Sequence, residues 1–334
     1  MGGFRIVKIL RTATGCMASI GLINELIKKG VEIVCVDANP ISVGLYYCPK
    51  KYVVPKGNDP NFIPEILKIC KKEKVDAILP GPEEEIINIA KNKDLFLSEG
   101  ILPIVSDYKT VEIVSDKWKT YKFFVDNNIP TPKTYKLEDI LNKENIEFDF
   151  PIILKPRFGR GGSGVYVIED TEDLTYYVTK KCKTDYIVQE YIKGVEYTID
   201  IFSDMDGNVL SIVPRKRLSV ESGISVKSIT SYNEKIIKYA EKISKKLNIK
   251  GPANIQCILK NNKPYFIEIN PRFGGGSILS IKADPTIIEN LIRIIKGEKP
   301  VPSKGFKRNL LMLRYYSEIF VRCEDNESSD IWFG

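Results

Sequence analysis

With 334 residues, 43% of them hydrophobic, the chain has the length for about two domains and can bury several cores. Its net charge of +7 is spread over many short lysine clusters rather than one stripe or tail, which is weak evidence for nucleic acid and suits small anionic ligands equally well. No histidine occurs, which excludes Ser-His-Asp triads, His-paired cysteine nucleophiles and H-E-x-x-H sites together and leaves chemistry to carboxylates, lysines, arginines, backbone amides and oxygen-held metals.

The seven cysteines (Cys16, Cys35, Cys48, Cys70, Cys182, Cys257, Cys323) are odd in number and widely spaced without a C-x-x-C pair. Reduced thiols in a cytoplasm are therefore expected, with neither a zinc cage nor a disulfide framework. The chain enters the strand-like "FRIVKIL" without a signal-peptide core, and Ile6 breaks the myristoylation pattern. No apolar run approaches about 18 residues, so no membrane span is expected.

In chain order, the first 105 residues alternate strand-like and helical patterns. "FRIVKIL" leads to "CMASIGLINELIKKG", whose Ile20, Ile23 and Ile27 share a helical face and whose Gly30 suits a stop. "VEIVCVD", "VDAILP" and "LPIV" continue a βαβ rhythm that predicts a doubly wound parallel sheet. "RTATGCMASIG" has only Gly15 and Gly21 where a dinucleotide turn needs G-x-G-x-x-G, so Asp37 at the end of the second strand does not carry that reading alone.

A helix near Ser115 to Asn127 closes at "NNIPTP". The strands "PIILKP", "GVYVIE", "DYIVQEY", "EYTIDIFS" and "VLSIVP" follow, the last two joined by the hairpin turn "DMDGN". A helix from about Asn233 to Asn248 buries Ile236, Ala240, Ile243 and Leu247, and the strands "ANIQCILK" and "PYFIEIN" flank the turn "NNK". The tail "RCEDNESSDIWFG" is the only stretch that reads as mobile.

Two stretches carry chemistry. "KPRFGRGGSG" places four glycines in six residues between strands, behind Lys155 and flanked by Arg157 and Arg160. Backbone N–H groups of such a loop can wrap an anion, with Lys155 adding a point charge; a ligand-free hairpin tip is the plain alternative. It is not a Walker loop, because the lysine precedes the glycines and a strand follows them. In "FIEINPRFGGGS", Glu268 and Asn270 share one strand face while Ile267 and Ile269 point to the core, and Arg272 stands beyond the strand end. Oxygen ligands beside an arginine suit magnesium and phosphate, although an amphipathic strand with a solvated Glu fits this stretch taken alone. Gln256 joins the same face if the hairpin loop is odd, that is, a three-residue Asn261 to Lys263 loop; a two-residue loop turns it away. Arg215 and Arg217 in "PRKRLSVESGIS" alternate on one strand face, either to clamp a substrate carboxylate or as a solvated strand edge.

In this order, "ILKPRFGRGGSGV", "VQEYIKGVEYTID" and "NIQCILKNNKPYFIEINPRFGGGS" resemble the ATP-grasp superfamily, and within it the carbamoyl-phosphate synthetase large-subunit group. The resemblance implies an α/β protein. A doubly wound parallel-sheet pre-ATP-grasp domain is expected over 1–110 and a two-lobed ATP-grasp domain with antiparallel sheets over 111–300, hinged at 185–192. An extension follows at 301–334.

Position by position, Lys117 and Lys155 resemble the phosphate-contacting cations, and Gly159, Gly161, Gly162, Ser163 and Gly164 the loop that closes over the triphosphate. Gln189, Glu190, Tyr191 and Ile192 resemble the strand that holds adenine, and Glu196 the ribose contact. Gln256, Glu268 and Asn270 resemble the ligands of two magnesium ions, a set that also admits Mn2+. Gln256 departs from the acid found there in many ATP-grasp enzymes and matches the synthetase group. Arg272 would hold the phosphoryl group in flight.

The implied activity joins a small-molecule carboxylate to an amine through an acyl-phosphate, with release of ADP and phosphate. Phosphorylation of carbamate or bicarbonate, and a nucleotide-binding subunit without catalysis, are the alternatives. A cytoplasmic protein without nucleic-acid or membrane partners is expected, and a homodimer is compatible with the resemblance.

Overall fold

The computed structural model describes residues 6–141, 149–159, 161–181 and 185–321; Arg160, Cys182, Cys323 and the tail quoted above lie outside them. Strands β1 (Lys8–Thr12), β2 (Glu32–Asp37), β3 (Lys50–Val53), β4 (Ala77–Leu79) and β5 (Leu102–Pro103) form a parallel sheet in the order β3-β2-β1-β4-β5. Helices α1 (Met17–Lys28), α2 (Val43–Tyr47), α3 (Phe62–Glu73), α4 (Glu83–Lys91) and α5 (Lys93–Ser98) accompany it. Adjacent strand residues point to opposite faces, so Ile9 and Ile33 pack on Leu22, Ile23 and Leu26 of α1, while Leu10, Val34 and Ile78 pack on Phe62, Ile66 and Ile86 of α3 and α4. Burial on both faces explains the nearly continuous apolar runs of these strands. The doubly wound expectation holds.

Two details differ from the sequence reading. The buried stripe of α1 is centred on Leu22, Ile23 and Leu26, which leaves Ile27 on its margin and 45% exposed. Cys35 and Cys48 are joined in a disulfide with their Cα atoms 6.0 Å apart, contrary to the reduced thiols expected. The parallel pairing of β2 with the segment entering β3 brings the two together, and nothing in their spacing announces it.

Helices α6 (Tyr108–Val114) and α7 (Lys117–Asp126) lead to a second, antiparallel sheet of β6 (Thr134–Lys136), β7 (Ile152–Pro156), β8 (Tyr166–Ile168) and β9 (Tyr186–Glu190), ordered β6-β9-β7-β8. Helices α8 (Leu137–Leu141) and α9 (Thr171–Lys180) belong to this body, whose small core includes Leu137, Ile152, Leu154 and Val188.

The third sheet takes β10 (Val195–Ser203), β11 (Val209–Glu221), β12 (Ile224–Thr230), β13 (Gly251–Lys260), β14 (Lys263–Asn270) and β15 (Leu311–Leu313) in the order β14-β13-β10-β11-β12-β15, all antiparallel. Helix α10 (Glu234–Leu247) covers one face, with Ile236, Ala240, Ile243 and Leu247 against Ile199, Ile255 and Phe266. Asn233 caps its start by accepting from Ile236 N at 3.1 Å. Helices α11 (Ser277–Ala283) and α12 (Thr286–Ile295) tie this sheet to the parallel one: Ile281, Ile287 and Leu291 share a core with Ile23 and Leu26. No helix among the described residues is long and apolar enough to cross a membrane.

The β13–β14 hairpin corrects its expected geometry. Lys260 pairs with Lys263, so the turn is the two residues Asn261 and Asn262, both at positive φ, rather than the three expected. Gln256 nevertheless pairs with Glu268, because the register shifts between Gln256 and Cys257 and Ile267 becomes an extra residue on β14. The bulge restores the parity that the short turn removes. Ile267 accordingly lines the cleft beside Glu268, while Ile269 is buried.

Candidate functional site

A cleft of about 440 Å³ opens between the second and third sheets. Lys155, Gly159, Gly161, Gly162, Ser163, Gln189, Glu190, Tyr191 and Ile192 line it on one side, and Glu196, Arg217, Gln256 and Glu268 on the other. Lys117, the first residue of α7, reaches it from the end. An annex shares Lys117, Gly159 and Glu268 with the cleft and adds Asn270 and Arg272. Gly164 and Arg215 line neither.

Two lysines are held by polar scaffolding. Asp116 caps α7 by accepting from Trp118 N at 2.9 Å and Lys119 N at 3.3 Å, and Arg157 grips its carboxylate at 2.8 and 2.7 Å. Burial pushes the Asp116 carboxyl up, but the bonds from Arg157 and the cap amides outweigh it and hold the group below its ordinary range. Arg157 is thereby committed to the helix start rather than to the cleft. Lys117 Nζ donates to Gly159 O at 2.8 Å, tying helix to glycine loop.

Lys155 Nζ donates to Gln189 Oε1 at 2.7 Å, and Gln189 Nε2 donates to Thr134 Oγ1 at 2.8 Å. Burial brings the Lys155 ammonium down to about 8, with Glu268 pulling it up and Lys117 pushing it down. A desolvated ammonium of this kind gains most from an arriving anion. Gly164 closes the loop at φ +73, where a Cβ would lie 2.9 Å from Pro156 Cγ, so the turn requires glycine.

The polar face of the third sheet collects the remaining groups. Asn270 Nδ2 donates to Glu268 Oε1 at 2.6 Å, Arg272 Nη2 donates to Asn270 Oδ1 at 3.4 Å, and Arg217 Nη1 donates to Gln256 Oε1 at 3.1 Å. Glu196 lies 3.5 Å from the Arg217 guanidinium. Among the described residues no three Asp, Glu, His or Cys side chains cluster to hold a metal. The donor set is one carboxylate and two amide oxygens. Such a hard, sparse set fits magnesium, which keeps much of its shell for water and substrate phosphates.

Arg215 departs from both readings of the sequence. Strand β11 is interior, between β10 and β12, and Arg215 is 2% exposed, so it is no solvated edge. Its Nε donates to Asp200 Oδ2 at 2.7 Å, and Asp200 also accepts from Ser277 and Ser280 of α11. Instead of facing the cleft as a clamp, Arg215 anchors the loop that follows Arg272, with Gly276 packed on its guanidinium.

Glu83, absent from the sequence reading, is the first residue of α4 and lines the annex. Burial pushes its carboxyl up, and the Ser115 hydroxyl, Lys117 and Arg272 oppose that. The available signal was its place at the carboxyl end of β4, beside β1 where the strand order reverses.

Comparison with known proteins agrees with this geometry. The family model of the ATP-grasp domain matches residues 114–276, and that of the PylC-like N-terminal domain matches residues 13–104. The chain is 30% identical over 302 residues to the carbamoyl phosphate synthase large chain of Clostridium perfringens (strain 13 / Type A), a match that covers 84% of this chain and 27% of that protein. It thus spans about a quarter of the length of the curated relatives it matches.

Among solved structures, the biotin carboxylase domain of Hydrogenobacter thermophilus 2-oxoglutarate carboxylase, with MgADP, ADP and bicarbonate, superposes at a TM-score of 0.73. The two are 19% identical, over 92% of this chain and 74% of that one. The L-amino acid ligase of Bacillus licheniformis gives a TM-score of 0.68 at 20% identity, over 89% and 75%. At these identities the likeness speaks for the fold. The chain belongs to the ATP-grasp superfamily, with a single grasp unit similar to those of carbamoyl phosphate synthase large chains.

Proposed function

We propose that the protein is an ATP-dependent carboxylate–amine ligase that activates a small-molecule acid as its acyl-phosphate and releases ADP and phosphate. The observation that carries this reading is the gathering of Lys117, Lys155 and the glycine loop opposite Gln256 and Glu268 in one cleft, with Asn270 and Arg272 in its annex. Bringing a triphosphate to a carboxylate sets two anions together, and fixed cations offset that repulsion without a protein nucleophile. In this reading Lys117, Lys155 and the amides of Gly159, Gly161, Gly162, Ser163 and Gly164 take the phosphates. Gln189 to Ile192 take the base, Glu196 the ribose, and Arg272 the phosphoryl group in transfer. Gln256, Glu268 and Asn270 would hold two magnesium ions, or Mn2+ in their place, which supply charge neutralisation at the phosphoryl oxygens. The glycine loop keeps water from the activated acid until the amine arrives. Arg217 faces the acceptor side, and Arg215 positions the Arg272 loop. We read 1–110, 111–300 and 301–334 as the functional units, hinged at 185–192.

The test is a panel of carboxylic acids screened for ADP release with ATP and magnesium, with hydroxylamine as trap. The expected result is a hydroxamate together with ADP and phosphate. AMP and pyrophosphate across the panel would overturn the reading, because the cations are arranged for transfer at the γ-phosphoryl. The likeness to carbamoyl phosphate synthase large chains supports a second reading, phosphorylation of carbamate or bicarbonate. It predicts activity with those acceptors and no hydroxamate from a carboxylic acid.

A further inference from the structure

The third sheet ends in an open edge. Strand β15 is outermost there, and Thr230 N donates to Leu310 O and Arg314 N to Val226 O, both at 3.0 Å, on either side of the Ser228–Met312 pair. Antiparallel ladders alternate, so Leu311 and Leu313, which lie between these contacts, turn their N–H and C=O groups away from β12, where no described strand meets them. Their side chains share one face and are 48% and 63% exposed. The strand is held firmly at both ends: Thr230 Oγ1 accepts from Leu310 N at 2.9 Å, Arg314 Nη2 donates to Gly275 O at 2.6 Å, and the Tyr316 hydroxyl donates to Glu221 at 3.1 Å. Tyr315 and Phe320, both largely exposed, continue the apolar surface beyond it. Sheet edges are commonly blunted by proline, lysine or a bulge, and Leu311 to Leu313 carry none of these.

A second copy of the same edge satisfies the groups left open. Laid antiparallel about a two-fold axis at Met312, Leu311 falls opposite Leu313 of the second copy, and Leu313 opposite its Leu311, so that each pair exchanges its N–H and C=O groups. The leucine side chains of both copies then form one apolar cluster on the shared face. Charge agrees with this direction. Lys307 and Arg308 precede the strand, Glu221 and Glu318 stand at its far end, and all four are exposed. Antiparallel pairing sets the basic end of each copy against the acidic end of the other, whereas parallel pairing would set like against like. We infer that the β15 edge is a homodimer interface, at which a second copy of this chain continues the antiparallel sheet across Met312. This edge lies at the opposite end of the sheet from β13 and β14, which carry Gln256 and Glu268, so pairing leaves both clefts open.

Sedimentation velocity on the whole chain, over a concentration series, reads the association, and a dimer in the micromolar range is expected. Leu313→Glu puts a charge into the leucine cluster and should raise the dissociation constant by at least about thirtyfold, the scale of a lost interface hot spot. Within one chain the new carboxylate lies opposite Lys227, so the fold tolerates it. Leu313→Pro removes an N–H that makes no bond to β12 and should raise the constant by about tenfold, because the two-fold axis repeats the loss. Both variants should keep the unfolding midpoint and the nucleotide affinity of the wild type. Met312→Cys sets two thiols at the axis, about 4.5 Å apart between Cα atoms as in a non-hydrogen-bonded pair, and mild oxidation should link the copies far more than in the wild type. Wild-type protein that stays monomeric throughout the series overturns the interface. Protection of the Leu311 and Leu313 amides from hydrogen exchange in that monomer would show that residues beyond 321 of the same chain cover the edge instead. A dimer indifferent to Leu313→Glu and Leu313→Pro lies on another surface, and one that loosens with both but gives no Met312→Cys link pairs in another register. Either result overturns the pairing about Met312.

Discussion

Gly161 and Gly223 meet backbone to backbone: a Cβ placed on Gly223 would lie 2.8 Å from the carbonyl carbon of Gly161. The glycine loop of the second sheet therefore rests on the β11–β12 turn of the third, across the mouth of the cleft. Gly223 sits at φ +75 beside Ser222 at φ +47, the positive-φ pair that a two-residue hairpin turn demands. Gly223→Ala adds both strain and a clash with main chain. A loss of roughly 1 kcal/mol in stability is expected, together with a raised KM for ATP, read by urea unfolding and by ADP release.

The same contact bears on mobility. Four glycines give the loop no side chains to pack, so it should exchange its amides freely without nucleotide and slow when ATP and magnesium bind. Hydrogen exchange at Gly159 and Gly161–Gly164 measures this directly, and rates indifferent to saturating nucleotide would remove the lid from the mechanism.

Glu268→Gln keeps the size of the side chain and removes its charge. Turnover should drop by at least about a hundredfold, the scale of one lost electrostatic contact in a transition state. The unfolding midpoint should hardly move, because Asn270 can still find an amide oxygen there. Near-normal ADP release with magnesium would take Glu268 out of its proposed role.

Arg157→Leu tests whether the helix start is held as described. It leaves the Asp116 carboxylate, 3% exposed, with its cap amides but without its cation. A cost of roughly 2–4 kcal/mol is expected for stranding a buried charge, with Arg157→Lys recovering part of it. Lys117 follows Asp116 in the chain, so KM for ATP should rise in step.

Glu85 should shape the pH dependence of stability. It is 6% exposed, and burial pushes its carboxyl up to about 7, against the Thr12 hydroxyl and the Arg11 charge. The folded protein then holds that proton more tightly than the unfolded chain. The stabilisation is fully present below the unfolded value near 4.5 and is lost as pH rises through about 7. Glu85→Gln should flatten the slope between those limits by up to roughly 3 kcal/mol, measured by urea unfolding across the range.

Local pattern and tertiary placement divided what could be read from the sequence. "KPRFGRGGSG" and "FIEINPRFGGGS" were legible because composition and strand alternation act within one segment, and the βαβ rhythm was legible because both faces of a parallel sheet are apolar. Arg215 was misread because its partner Asp200 stands on a neighbouring strand, and only the Thr198–Arg215 pairing brings them together. Glu83 was overlooked because it meets Arg272 only after two sheets have docked. The Cys35–Cys48 link depends on strand order, which spacing does not encode.

The extra residue at Ile267 makes the β13–β14 hairpin a matter of odd and even. With the same chain length, a two-residue turn and an unbroken ladder would set Ile267 opposite Gln256 and turn Glu268 away from the cleft. The bulge takes up that odd residue: without Ile267, Phe266 would still face Cys257 and Glu268 would still face Gln256. The proposed metal-binding face is thus set by a count rather than by any one side chain. Chains of this architecture are free to exchange a short turn with a bulge for a longer turn without one.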